Sequence, residues 1–245
     1  MNEQQTVTTK QRELGPASDT PESLRDRLDE AFRDAGAEAS CHVGPSGSVV
    51  SVTLYTRMLS FEPNPEGATV WLQANDIDAD ARFDSEGLHL VVDLHTPQAV
   101  ARFTDLLLAP HVRTRAAAAE LAEALSTHYL STSVRPDLSN HTVELRLHDN
   151  ADLHTTRTVA EVLGAPGIDE GLDLSRKKHL RRLAERLTWL ITGITTAPTS
   201  AVAVPECAHT PDQITLCLTQ HQARQLTTRI QAVPPPEPDI EPTTA

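Results

Sequence analysis

The sequence predicts an α+β protein of two similar halves, each in the order α-β-β-(insert)-β-β-α, with antiparallel sheets and helices on one face. Two observations carry this. A strand, a threonine cap and a helix close two segments: Leu88-His89-Leu90-Val91-Val92-Asp93-Leu94 runs into Thr96-Pro97-Gln98-Ala99 and a helical tail to Leu108, and Ile214-Thr215-Leu216-Cys217-Leu218 runs into Thr219-Gln220-His221-Gln222-Ala223 and a tail to Ile230. A helix followed by a hairpin opens both halves. Shifting the first closing phrase by 124 residues pairs Leu94 with Leu218, Gln98 with Gln222, Ala99 with Ala223 and Thr104 with Thr228.

Residues 1–19 are polar and aperiodic, the composition of a disordered lead-in. The first half follows at 20–112. Thr20-Pro21-Glu22 combines a cap, a proline suited to the first turn and an early carboxylate, and Leu24, Leu28, Ala31, Phe32 and Ala35 then recur at helical spacing until Gly36. A helix over 21–35 follows. Residues 39–43 and 49–55 flank the turn Gly44-Pro45-Ser46-Gly47 as a hairpin. Past a loop around Pro63-Asn64-Pro65-Glu66-Gly67, residues 69–73, 77–83 and 88–94 read as three further strands.

The second half, 113–231, opens on an Ala-rich helix over 116–130, with Leu121, Ala124, Leu125 and His128 on one side. Strands near 131–135 and 142–148 follow across Pro136-Asp137-Leu138-Ser139-Asn140. A helical insertion at 153–195 holds a weak helix near 155–163, a Gly-rich loop and a long helix over 175–195. Strands near 200–205 and 213–218 lead to the last helix, where Thr219 and Gln222 have capping-box spacing. Residues 232–245 form a Pro-rich acidic tail.

Hydrophobic content is 39% and aromatic content only 3%, so the core is aliphatic and large stacking surfaces are scarce. A net charge of −13, from 21 basic and 34 acidic residues, opposes general attraction to nucleic acid or anionic lipid. Cys41, Cys207 and Cys217 fit neither a disulfide framework nor a zinc spacing, and read as buried thiols in a reducing cytoplasm. The N-terminus has no signal-peptide pattern, and the longest uncharged stretch, 187–205, is broken by Gly193 and Pro198, so no membrane span is expected. Lysine occurs only at Lys10, Lys177 and Lys178 beside abundant arginine and alanine, which resembles actinobacterial coding bias.

Phe61-Glu62-Pro63, Trp71-Leu72-Gln73-Ala74, Val92-Asp93-Leu94, Thr96-Pro97 and Phe103-Thr104-Asp105-Leu106-Leu107 resemble a domain family of unknown function in streptomycetes and their mobile elements. That family pairs a Trp-bearing strand with a strand leading to Thr-Pro and then Phe-Thr-x-x-Leu. The resemblance spans residues 48–110 and implies an architecture and an actinobacterial setting, with no catalytic residue. Leu90 and Val92 stand where the family has an aromatic pair.

Arg176, Lys177, Lys178, Arg181, Arg182 and Arg186 place six of the 21 basic residues within one short segment. Leu180, Leu183, Leu187, Leu190, Ile191 and Ile194 form the opposite helical stripe, so the bases project outward, where they can grip phosphate, nucleic acid or an acidic partner or serve as a solvated face. Asp76, Asp78 and Asp80 lack the glycine and glutamate of a calcium loop and fit an exposed strand better. His148, Asp149, Asp152 and His154 are the one cluster with metal-ligand chemistry. The leading expectation is a cytoplasmic, non-enzymatic binding or adaptor protein with a protein partner or self-association, without cofactor and without membrane. The alternatives are nucleic-acid or phosphate binding through residues 175–186, and a metal-dependent hydrolase using His148, Asp152 and His154.

Overall fold

The computed structural model describes residues 19–45, 47–55, 59–130, 132–148, 153–174, 176–204 and 213–235. The expected lead-in over 1–18, the tail from 236, Cys207, Asp149, Asp152 and the side chain of His148 lie outside the described residues. The described residues form two compact units: those within 19–31, 38–55 and 61–103 make the first, and those within 32–37, 59–60 and 104–235 the second.

The first unit contains most of α1 (Pro21–Ala35), whose Leu24 and Leu28 are buried, and a four-stranded antiparallel sheet. Its strands β1 (Ala39–Val43), β2 (Val50–Leu54), β3 (Ala79–Phe83) and β4 (Leu90–Leu94) lie in the order β1-β2-β4-β3. In the second unit β5 (Thr132–Asp137), β6 (Thr142–His148), β7 (Ser200–Val204) and β8 (Gln213–Thr219) form a second antiparallel sheet in the equivalent order β5-β6-β8-β7.

The similarity extends to register. Val43 pairs with Val50 and Pro136 with Val143, so the two hairpins match at a constant offset of 93 residues. Val50 pairs with Leu94 and Val143 with Leu218, which sets the closing strands at an offset of 124, the value read from the closing phrase. The difference of 31 residues falls in the connection from the hairpin to the closing strand, which in the second unit carries α5 (His154–Val162) and α6 (Lys177–Thr195).

The threonine caps differ by one step. Thr96 Oγ1 accepts from the Ala99 amide two residues after Leu94, at the start of α3 (Pro97–Phe103). Thr219, directly after Leu218, caps α7 (Gln220–Gln231) with a complete capping box. The strands therefore match at 124 and the helix starts at 123, with His95 as the additional residue.

Two elements depart from the sequence reading. Residues 69–73, expected as a strand, lie inside the helix α2 (Pro65–Ala74), so Trp71 is helical. Its start was hidden in a stretch that resembles a turn: Asn64 Oδ1 accepts from the Gly67 amide at 2.7 Å, Pro65 occupies the first helical turn, Glu66 faces the positive end of the dipole, and Ala68 and Leu72 are buried. Gly67 is required by close approach, since a Cβ there would lie 2.8 Å from Glu62 Cβ. Trp71 packs between Phe61 and Phe103, at ring separations of 5.1 and 6.2 Å. The helix expected over 116–130 instead runs from Ala109 to Ser126 as α4, directly after a π-helical turn at Thr104–Leu108. Pro110 has no amide hydrogen and crowds the carbonyl four residues back, and a widened turn relieves that conflict.

Both cores are aliphatic. Val50, Val52, Leu54, Leu90, Val92 and Leu94 are buried in the first sheet. In the second unit Val143, Leu145, Leu147, Ile214, Leu216 and Leu218 share a core with α4, α6 and α7. No described helix is long and apolar enough to cross a membrane.

Candidate binding face on the inserted helix

The helix α6 is amphipathic by sequence, and its packing follows. Leu180, Leu183, Ala184, Leu187, Ile191 and Thr195 are buried, and Thr188 Oγ1 accepts from the Ala201 amide of the edge strand β7 at 3.1 Å. Docking this stripe orients the opposite face outward. The approach to the helix is pinned by a tight loop. Gly164 has φ +93°, a backbone that glycine adopts without strain, where α5 ends and the Ala165 amide bonds back to the Ala160 carbonyl. Asp173 then accepts Arg176 Nε at 2.7 Å, and the Asp173 amide donates to His179 Nδ1 at 2.7 Å.

Five of the six basic residues singled out from the sequence are exposed, Arg176 at the N-cap and Lys177, Lys178, Arg181 and Arg182 in the helix. The sixth, Arg186, is half-buried and faces the preceding loop, where Nη1 donates to the Ile168 carbonyl at 2.6 Å and the Glu170 carbonyl at 3.0 Å. It is a tether for the loop, occupied by two backbone acceptors. Among the described residues, no ion pair or hydrogen bond engages the side chains of Lys177, Lys178, Arg181 or Arg182.

The position of Lys177 and Lys178 is electrostatically adverse. Arg176 is the N-cap and supplies no side-chain acceptor, and the first turn contains no acid, so cations stand at the positive end of the helix dipole. Each such placement costs roughly 0.3–1 kcal/mol in the isolated protein. An anion seated there would relieve both the dipole and the mutual repulsion of the side chains.

Trp189 belongs to the same face. It is 71% exposed and follows Lys178 and Arg182 at helical spacing, with Glu185 one turn before it. The signal was present in the sequence: Trp189 is in register with the bases and out of register with the leucine stripe.

A second polar cluster lies on the face of the first sheet opposite its aliphatic residues. His42, Ser51, Asp93 and Asp80 stand in one row across the four strands. Ser51 Oγ donates to Asp93, and Arg82 Nε donates to the same carboxylate at 2.7 Å. Asp93 is only 8% exposed. Burial alone would raise its pKa, but the hydrogen bonds from Arg82 and Ser51 outweigh it and hold the carboxyl below its usual range. His95 donates to the Gly47 carbonyl and to Asp80, both at 3.0 Å in its charged form, and these partners raise its pKa against the opposing effect of burial. The row contains serine, histidine and aspartate but in the wrong order for nucleophilic catalysis. The serine proton is committed to a carboxylate, while His42 Nε2 contacts Ser40 Oγ at 2.9 Å. This network is a clasp between strands.

The aspartates of the calcium-like stretch separate. Asp76 pairs with Arg102 at 3.6 Å and Asp80 with His95, and among the described residues no group of three or more His, Cys, Asp or Glu is placed to hold a metal. His154 is exposed at the start of α5. No family model, curated protein or solved structure matches this chain.

Proposed function

We propose that this chain is a non-enzymatic binding protein that captures a polyanionic partner through the exposed face of α6. The observation that carries the reading is the exposed set Lys177, Lys178, Arg181 and Arg182, which no described residue pairs, with Lys177 and Lys178 in the first turn of a helix where they oppose its dipole. In a protein with net charge −13, such a concentration of cations gives a local attractive surface within a repulsive surround, favouring an orientation-specific encounter over general adhesion to anions. The helix also belongs to the connection that is longer in the second unit, so it is an addition to the shared sheet topology.

In this reading the protein acts in the cytoplasm of an actinobacterial host or its mobile elements, a setting supported by the resemblance of residues 48–110. The test is binding of a fluorescent polyglutamate probe at low salt. The intact protein binds with an affinity that falls as salt rises, and the double substitution R181E/R182E abolishes the signal. Absence of binding by the intact protein at low salt refutes the proposal.

A further inference from the structure

Resting on that reading, the face of α6 also indicates the class of partner. We infer that it recognises an acidic protein segment carrying an apolar anchor residue, with Trp189 as the contact for the anchor and Lys178, Arg181 and Arg182 as the contacts for the flanking carboxylates. Large aromatic side chains are seldom left in water, and Trp189, at 71% exposure, stands directly opposite the buried stripe. Tryptophan and arginine are among the residue types that dominate binding energy at protein interfaces. Lys178, Arg182 and Trp189 lie in that order along a single helix face, with the aromatic at the C-terminal end of the basic row, and no described ion pair neutralises the bases.

Three features favour a protein segment over single-stranded nucleic acid. Nucleic-acid platforms stack successive bases on several aromatics along a basic groove. Here the outward face of α6 carries one aromatic, and aromatic residues make up only 3% of the chain. Glu185 lies one turn from Arg181, Arg182 and Trp189, placing a carboxylate in the path that a continuous phosphate backbone would follow. The overall charge of −13 penalises a long polyanion more than a short acidic segment whose charges end near the helix.

The experiment compares three labelled probes with the full chain at low salt: a Glu/Gly peptide, the same peptide with one central leucine, and an oligothymidylate. The leucine peptide is expected to bind about tenfold more tightly than its parent. W189A should remove that difference, so that the two peptides bind the variant equally, with circular dichroism confirming that the variant is folded. Equal affinity of the two peptides, or a leucine advantage that survives W189A, overturns this inference and leaves the anion-binding reading standing. Preference for the oligothymidylate over both peptides overturns it in favour of nucleic acid. If no probe binds, the anion-binding reading fails as well.

Discussion

Gln222→Ala tests how the closing phrase holds the second unit together. Gln222 is 2% exposed and serves two structures at once. Its Oε1 accepts from the Thr219 amide at 2.8 Å, completing the capping box of α7, and its Nε2 donates to the Pro198 carbonyl at 2.9 Å and Thr199 Oγ1 at 2.8 Å in the turn between α6 and β7. Truncation leaves the Thr219 amide and the Pro198 carbonyl without their partners. A buried group stranded in this way costs about 1–3 kcal/mol, so with partial solvent access the loss is about 2–4 kcal/mol. For a domain of this size that corresponds to a fall of roughly 5–15 °C in Tm. Thr219→Ala removes only the cap acceptor and is expected to cost about 1 kcal/mol. Thermal and urea unfolding of the two variants side by side give the comparison. If Gln222→Ala costs no more than Thr219→Ala, the cross-link to the α6–β7 turn contributes nothing and the reasoning is wrong.

Asp93 has a folded pKa below its unfolded value, so its stabilisation is present above the ordinary carboxylate range, near pH 4, and is lost as pH falls through the folded value; Asp93→Asn should flatten that acid limb of the urea midpoint. His111, buried at 4% exposure with its ring centroid 5.0 Å from that of His141, is held below its usual pKa by burial and then by that neighbour. Its contribution is therefore complete above about pH 6.5 and declines as pH falls below it, and His111→Phe should remove this dependence in the same assay. Gly67→Ala forces a Cβ to 2.8 Å from Glu62 Cβ and 2.9 Å from the Glu62 carbonyl, and should cost about 1–3 kcal/mol in thermal unfolding. The Cys41 thiol, pushed up to about 12 by burial and by Asp29, should resist a thiol reagent that labels the exposed Cys217 in a Cys207→Ser background; rapid labelling of Cys41 would show that its burial is wrongly placed.

The sheets were legible because their residues alternate: Val50, Val52 and Leu54 face one way, Ser51 and Thr53 the other, and turn residues at Gly44-Pro45 and Ser139-Asn140 mark the hairpins, although Pro136 and Asp137, expected in the second turn, are the last residues of β5. The closing-phrase offset survived in the strand register because Leu94 and Leu218 occupy equivalent sheet positions. The helix α2 was missed because Asn64-Pro65 serves equally as a turn or a helix start, and Thr69-Val70-Trp71 is rich in strand-favouring types; capping and the burial of Ala68 and Leu72 decided the outcome. In the candidate site, the outward direction of Lys178, Arg181 and Arg182 followed from helical periodicity, whereas Arg176 and Lys177 are exposed because they stand at the helix start. The capture of Arg186 by the Ile168 and Glu170 carbonyls depended on a loop path that periodicity does not encode. The Ser51–Asp93–Arg82 clasp likewise joins three strands, and only their register brings it together.

Hydrogen–deuterium exchange of the full chain, with and without the leucine-bearing acidic peptide, maps the surface on which the peptide docks. Slowed exchange confined to the first turns of α6 and its lead-in, through Trp189, is the predicted footprint, and R181E/R182E should erase it. Protection centred on the polar face of the first sheet, with α6 unchanged, would contradict the account.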